Sequence, residues 1–277
     1  MGLAPKFNKA NLERIMDKPF VSVIVPTRNR AHFIENVLRN YARQTYPKSR
    51  MELIIYDDSD FPINESLIPK KRNIKYIYKD PNTEDGPRAM PLGKKRNELC
   101  QLAKGDIIFQ MDDDDLYPKC SVSHIVSKLS VKNKLVACAD SIYFFDIERQ
   151  TVGFFKLKNP THIVGFKKSI LEHTSFDDSA WITEEAAFLK GCYKKEVSVL
   201  DPKKSLLMTC HTSNTSAKDS YLSVETATTL NLEDFVNDEE DVLFFKQRLP
   251  NMLGLYKPVN FMSLMAEARR KEMEREY

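Results

Sequence analysis

Four consecutive carboxylates, Asp112-Asp113-Asp114-Asp115, follow the short apolar run Ile107-Ile108-Phe109-Gln110-Met111. Adjacent ionised carboxylates repel, by roughly 4 kcal/mol for a pair at ~4 Å in an effective dielectric near ~20. On a solvated turn, water relaxes most of that cost and the run is merely an acidic loop. At the C-terminal end of a buried strand, where open α/β sheets bind their ligands, the cluster needs a cation instead. Oxygen donors suit Mg2+ or Mn2+ better than Zn2+. Two more charged groups have a matching character: Asp57-Asp58-Ser59-Asp60 after a second apolar run, and Lys94-Lys95-Arg96 near a helix start. Each alone reads as a capped turn or a solvated face. Together, acids at strand ends and bases at a helix start suit a phosphate-bearing ligand with a bridging metal.

These groups need a scaffold, and the hydrophobic pattern predicts one. Phe20–Val25 is a β-branched strand ended by Pro26, which cannot donate to a ladder. Phe33, Ile34, Val37, Leu38 and Tyr41 have helical spacing, Met51–Tyr56 reads as a second strand, and Ile74, Tyr76 and Tyr78 alternate as a third. Lys79–Gly93 is a Pro- and Gly-bearing loop, and Leu92–Ala103 a helix stopped by Gly105. The strand before the four aspartates follows, and then a helix with Pro118 in its first turn and apolar residues at Val122, Ile125, Val126 and Leu129. This alternation predicts a mostly parallel, doubly wound α/β sheet over residues 20–140.

Beyond it the pattern changes. Ser141–Ile147, Val152–Leu157 and Ile163–Leu171 read as strands without intervening helices, a mixed or antiparallel extension. A helix over Glu184–Cys192 and a strand over Leu206–Cys210 follow, and Phe261–Tyr277 has the spacing of a docking helix. The expected organisation is an arm at 1–19, a catalytic domain at 20–220 and a helical extension at 221–277.

The bulk numbers narrow the class. A chain of 277 residues with 42% hydrophobic and 29% charged residues can bury a real core. A net charge of +3 argues against binding nucleic acid through bulk charge. Five scattered cysteines without a C-x-x-C pair read as buried thiols in a reducing compartment. No apolar run reaches the ~18 residues of a membrane span, and the first residues lack a signal-peptide core. The expected location is cytoplasmic, in solution or peripheral to a membrane. There is no G-x-x-x-x-G-K-[ST] and no G-x-G-x-x-G, which leaves neither a P-loop nor a dinucleotide fold.

Four stretches in order resemble one family. Val21-Ser22-Val23-Ile24-Val25-Pro26-Thr27-Arg28-Asn29-Arg30 is similar to the opening strand and turn of family 2 of the inverting glycosyltransferases, which have the GT-A nucleotide-sugar fold. Ile54–Ser59 resembles that family's second strand, Lys95-Arg96-Asn97 its Ala-Arg-Asn motif, and Ala103–Asp115 its Gly-Asp strand ending in an Asp-x-Asp pair. The resemblance covers residues 20–120 well and the remainder weakly.

It implies a metal-dependent enzyme transferring a sugar from a nucleotide-diphosphate sugar, a UDP-sugar by preference, to a glycan or glycoconjugate hydroxyl. Asp112 would reach the ribose or the metal and Asp114 would ligate Mn2+ or Mg2+. Asp113, counted with the donor-binding side, would turn away from the metal if the segment is extended. Pro26, Thr27, Arg28 and Arg30 would line the base and diphosphate side, Asp58 with Asp57 would receive the base, and Arg96 would sit near the diphosphate. The family's catalytic base lies in a Thr-Glu-Asp-like motif, here Thr183-Glu184-Glu185. The choice between Glu184 and Glu185 is open at this level, and Glu185 occupies the family's aspartate position. Trp181 has two readings, stacking on a sugar or filling the core. His211 is the candidate third metal ligand. His32, His124, His162 and His173 have no motif context. The alternatives are a nucleotidyltransferase, which would want a glycine-rich loop where Thr27–Arg30 has none, and a non-catalytic glycan-binding protein, which would not need acids at three places.

Overall fold

Seven residues in a row, Val21–Thr27, are buried, because this strand (β1) lies inside a sheet covered on both faces. The computed structural model describes residues 17–81, 89–211, 214 and 226–254. The proposed arm and the docking helix at Phe261–Tyr277 therefore lie outside the described residues, apart from 17–19. After β1 come a 3-10 turn (Ala31–Phe33) and α1 (Ile34–Arg43), then β2 (Met51–Asp57), β3 (Ile74–Tyr78), α2 (Leu92–Leu102), β4 (Ile107–Gln110) and α3 (Ser121–Leu129). The chain continues through β5 (Val136–Ala139), β6 (Ser141–Asp146), β7 (Thr151–Lys156), β8 (His162–Lys167), α4 (Glu185–Lys190), β9 (Val197–Val199), the one-turn α5 (Pro202–Ser205) and β10 (Leu207–Cys210).

The main sheet has the order β3-β2-β1-β4-β8-β5-β9. β1 pairs in parallel with β2 and β4, and β2 with β3. β8 enters antiparallel between β4 and β5, and β9 closes the far edge in parallel with β5. A three-stranded sheet, β10-β6-β7, stands beside it. The expectation of a mostly parallel sheet with a mixed extension holds.

Alternation along β1 divides the core. Val21, Val23 and Val25 face α1 and α3, packing with Leu53, Phe109, Val37, Val122 and Ile125. Ile24 faces the other way, onto α2 and α4, with Ile54, Ile108, Leu99 and Phe188. A third cluster joins Phe33 and Leu116 to Phe235, Phe244, Phe245 and Leu249 of the later chain. That chain is tied to α1 by Asp241, which accepts from Arg39 at 2.6 Å and pairs with Arg43 at 2.8 Å.

Several expectations need correction. Pro26 does not end β1. The Met111 N–H donates to the Ile24 carbonyl, so even-numbered residues of β1 face β4, and β4 has ended before Pro26 would need a donor. Gly105 does not cap α2, whose C-cap is Ala103. It lets the chain press on β1, where a Cβ would lie 2.5 Å from Ser22 N. Its own N–H donates to Ser22 Oγ at 2.8 Å, and Ser22 donates to the buried Glu52. Pro118 precedes α3 and accepts from Ser121 rather than sitting in its first turn. The strand expected over Ile163–Leu171 stops at Lys167 and becomes a 3-10 helix. The helix expected over Glu184–Cys192 spans only Glu185–Lys190. β5 and β9 are too short, at four and three residues, to show a period.

Candidate active site

β1, β2 and β4 end on one side of the sheet, above a cleft of about 460 Å³. The turn after β1 is set by Asn29, whose φ of 54° lies in the left-handed region that asparagine tolerates. Its N–H donates to Ser59 Oγ at 2.6 Å and its side chain exchanges hydrogen bonds with Asp60, which locks the β1 and β2 turns together.

The four aspartates form a turn, not an extended segment, so they fan in different directions. The turn's carbonyls are held from below. Asn36 donates to the carbonyls of Asp113 and Asp115, Asn40 to that of Asp115, and Thr209 Oγ1 to that of Asp114. Both asparagines are fully buried in α1. Asp115 accepts from Thr209 N at 2.9 Å and belongs to this frame. Asp113 turns inward, accepting from Thr27 Oγ1 and Arg30, each at 2.7 Å. Asp114 accepts from Arg30 at 2.8 Å and Asn214 at 3.1 Å, with His211 Nε2 at 3.3 Å. Burial pushes Asp113 well up, with Asp114 adding to it against Arg30. Burial acts on Asp114 too, but His211 and Arg30 outweigh it and hold this carboxyl low. Phe33 backs both partners, with its ring 5.1 Å from that of His211 and 5.0 Å from the Arg30 guanidinium.

The fit of a divalent cation rests on these donors. Two carboxylates and an imidazole, Asp112, Asp114 and His211, are a donor set that suits Mn2+. Asp114 and His211 already meet, whereas Asp112 is turned onto Arg96. Among the described residues no group of three acidic, histidine or cysteine side chains converges as a closed set. The chemistry of the three donors fits a divalent cation.

At the β2 end the two aspartates differ. Asp57 is spent inside the fold, accepting from Tyr76 Oη at 2.7 Å and from Ser59. Asp58 sits beside the cleft, paired with the buried Lys95 and accepting from Met90 N at 2.9 Å. Lys95 also donates to the Thr27 carbonyl, and burial lowers its pKa against the pull of Asp58. Arg28 reaches Asp60 at 3.3 Å and Asp58 at 3.9 Å.

The centre of the cleft belongs to Arg96, which is 4% exposed. Its planar fork donates to Glu184 at 2.7 Å, to Asp112 at 3.1 Å and to Gln110. Burial opposes its charge, but Asp112 and Glu184 prevail and raise its pKa. Glu184 and Glu185, between which the motif leaves the choice of base open, differ here. Glu184 is buried and committed to Arg96. Glu185 lines the cleft, its side chain 19% exposed, and accepts from Ile163 N at 2.9 Å. Burial, with help from Glu184 and Asp112 and against Arg96, pushes Glu185 up to about 8.

The loop ahead of these glutamates is pinned to α2. Gly93 N donates to the Ala180 carbonyl at 3.0 Å, and Asn97 brackets Phe176 through both its N–H and its carbonyl and also reaches Asp178. Trp181 and Ile182 stand 55% and 57% exposed on the cleft wall, which removes Trp181 from the core. Thr183 follows with φ 57°, a strained conformation for a β-branched residue. Sequence alone does not single out Asn36, Asn40, Gln110, Asn214 or His162 for the site, whereas Lys95 and Asn97, inside the Lys-Arg-Asn motif, carry a signal.

An α/β sheet with a carboxylate turn after β4 and a glutamate-bearing loop across the cleft defines a GT-A sugar-nucleotide transferase fold. The glycosyl transferase family 2 model matches residues 22–186, from β1 through Glu185, and the chain belongs to that family. A similar protein is the poly(ribitol-phosphate) beta-N-acetylglucosaminyltransferase TarS of Staphylococcus aureus, 33% identical over 101 residues, or 35% of this chain and 17% of that one. Another is the GalNAc(5)-diNAcBac-PP-undecaprenol beta-1,3-glucosyltransferase of Campylobacter jejuni, 31% identical over 40% of this chain and 34% of its own length. The matched stretch thus spans about a sixth to a third of these two relatives. Among solved structures, S. aureus TarS 1–349 in complex with UDP shares the fold at a TM-score of 0.53 and 20% identity, covering 69% of this chain and 60% of that one. The mannosyltransferase PcManGT of Pyrobaculum calidifontis, solved with GDP-Man and Mn2+, does so at 0.53 and 14%, covering 95% and 86%. No helix among the described residues is long and apolar enough to cross a membrane.

Proposed function

We propose that this chain is a metal-dependent, inverting glycosyltransferase that moves a sugar from a nucleotide-diphosphate donor, UDP-linked, to a hydroxyl of a glycan or glycoconjugate. Residues 20–220 form the catalytic unit in this reading, and 226–254 pack on it through the Phe33 cluster. The observation that carries the proposal is the placement of Glu185 on the same cleft as the Asp112–Asp114 turn, with Arg96 between them. Support comes also from the fold's likeness to proteins solved with UDP and with GDP-Man and Mn2+.

Asp58, with Lys95, receives the nucleobase end, and Arg28 and Arg30 face the diphosphate. Asp112, Asp114 and His211 would hold a Mn2+ or Mg2+, which would supply positive charge for the departing diphosphate. Glu185 takes the proton of the acceptor hydroxyl as that oxygen attacks the anomeric carbon. Glu184 neutralises and fixes Arg96 rather than reacting.

The test is nucleotide release from UDP-sugars with and without Mn2+, on folded variants. Glu185→Gln is expected to lose transfer by about 10²-fold or more while UDP affinity is kept. Asp114→Ala is expected to lose the Mn2+ dependence of UDP binding. A Glu185→Gln protein with ordinary turnover would remove the proposed base, and Mn2+-independent release would remove the metal.

A further inference from the structure

β8 begins at the reaction centre. Its first residue, His162, lines the cleft with a side chain 26% exposed, somewhat more than the 19% of Glu185. His162 Nδ1 lies 3.8 Å from Glu185 Oε2, while the N–H of the next residue, Ile163, donates to Glu185 Oε1 at 2.9 Å. One strand end thus addresses both oxygens of one carboxylate. The register of β8 against β5 shifts between Ala137 and Cys138, opposite this end, and a shift of that kind re-aims side chains. Gln110 Nε2 donates to the Ile163 carbonyl at 3.0 Å, and Gln110 itself accepts from Arg96, so the backbone beside His162 is anchored to the centre of the cleft.

A glutamate that accepts a proton in each turnover must lose it before the next. The charged groups around Glu185 are Arg96 from α2, Glu184 beside it in sequence, Asp112 after β4 and His162 on β8. Arg96 is a permanent cation and cannot take a proton. Glu184 and Asp112 both accept from Arg96 and face its guanidinium. An imidazole is the one group type in this set that gains and loses protons near neutrality without perturbation.

We propose that His162 is the proton outlet of Glu185, a further residue of the transfer reaction. The inference rests on the reading of Glu185 as the base. The acceptor oxygen forms its bond to the anomeric carbon, and the bond from that carbon to the diphosphate oxygen breaks with its electron pair leaving on the diphosphate. The hydroxyl proton goes to Glu185, and from its carboxyl to His162 Nδ1, directly after a small rotation or through one water. Imidazolium then gives a proton to solvent at the open side of the cleft.

The experiment compares His162→Ala, His162→Gln and Glu185→Gln for steady-state turnover, UDP affinity and response to added imidazole. His162→Ala is expected to keep UDP affinity, to lose turnover at least about 10-fold, and to regain it in proportion to imidazole in the buffer. His162→Gln, which fills the space, is expected to lose as much and regain less. It also serves as the folded comparator if the alanine variant is unstable. Ordinary turnover in either folded variant overturns the outlet, as does a loss in His162→Ala that imidazole does not relieve. Glu185→Gln separates the two ideas. If it is inactive and His162→Ala is normal, only the outlet fails, whereas an active Glu185→Gln enzyme removes the base and with it the outlet.

Discussion

Replacing Gly93 by alanine should do the opposite of what helix chemistry alone expects. In the first turn of α2 an alanine ordinarily gains up to about 1 kcal/mol over glycine. Here the new Cβ would lie 1.9 Å from the Asp177 carbonyl oxygen and 3.3 Å from Glu184 Cβ. Ordinary contact requires the Asp177 carbonyl to retreat by about 1.5 Å, and over-packing of this kind costs roughly 1–3 kcal/mol. The expected net is a loss of about 0–2 kcal/mol in urea denaturation. The functional effect is larger, because the displaced loop leads into Glu184 and Glu185, and a misplacement of ~1 Å at reacting groups can cost about 10²-fold in rate. UDP affinity should hold, since the partners of Asp58, Lys95 and Asp114 among the described residues lie on other segments. The assay is turnover alongside UDP titration, with Asn97→Ala as a second variant that releases the same loop without over-packing. A Gly93→Ala protein that is more stable and turns over normally would refute the idea that α2 positions the glutamates.

Three further outcomes are expected. Glu185, pushed up to about 8 from the ordinary 4.5, contributes stability that is full below pH 4.5 and lost as pH rises through 8. Glu185→Gln, which cannot ionise, should therefore match the parent in thermal melts near pH 4.5 and exceed it above pH 8, and equal melts at both would refute the shift. Arg96→Met leaves Glu184 buried without its partner and should cost about 3–5 kcal/mol, whereas Glu184→Gln keeps the hydrogen bond and should cost about 1–2 kcal/mol. Chemical denaturation yielding equal losses would contradict Arg96 as the hub. Thr183→Gly removes strain of about 1–3 kcal/mol at φ 57°, less the backbone freedom glycine gains in the unfolded chain, so melts should rise slightly while turnover falls. A fall in stability would mean that Thr183 makes contacts worth more than its strain.

The parts of the site that were legible in the sequence are those where an apolar run breaks into charge. β1, β2 and β4 show that break, and their near-continuous apolar runs mark the buried strands that put Thr27, Asp58 and Asp112 on one side of the sheet. Residues that act through the backbone of another segment left no trace. Asn36 and Asn40 read as polar positions on a surface helix, and their task appears only when the β4–α3 turn lies over α1. Lys95 looked like one of three solvated bases because sequence does not say which face of α2 meets β2. His162 opens a strand whose next four residues are all buried, and its neighbour Glu185 is brought to it by the insertion of β8 between β4 and β5, a nonlocal choice that no local pattern encodes.

α2 spends three successive residues on three separate tasks: Lys95 meets Asp58, Arg96 meets Glu184 and Asp112, and Asn97 meets Phe176 and Asp178. Each step along a helix turns by about 100°. The rotational phase of this one rod is therefore shared by the Asp58 pair, the Arg96 hub and the loop ahead of the glutamates. Losing a single residue between Gly93 and Lys95 would hand Asp58 to the wrong side chain and at the same stroke unlatch the other two. Drift in chain length has to stay outside that short segment, as with a key whose teeth all sit on one blade.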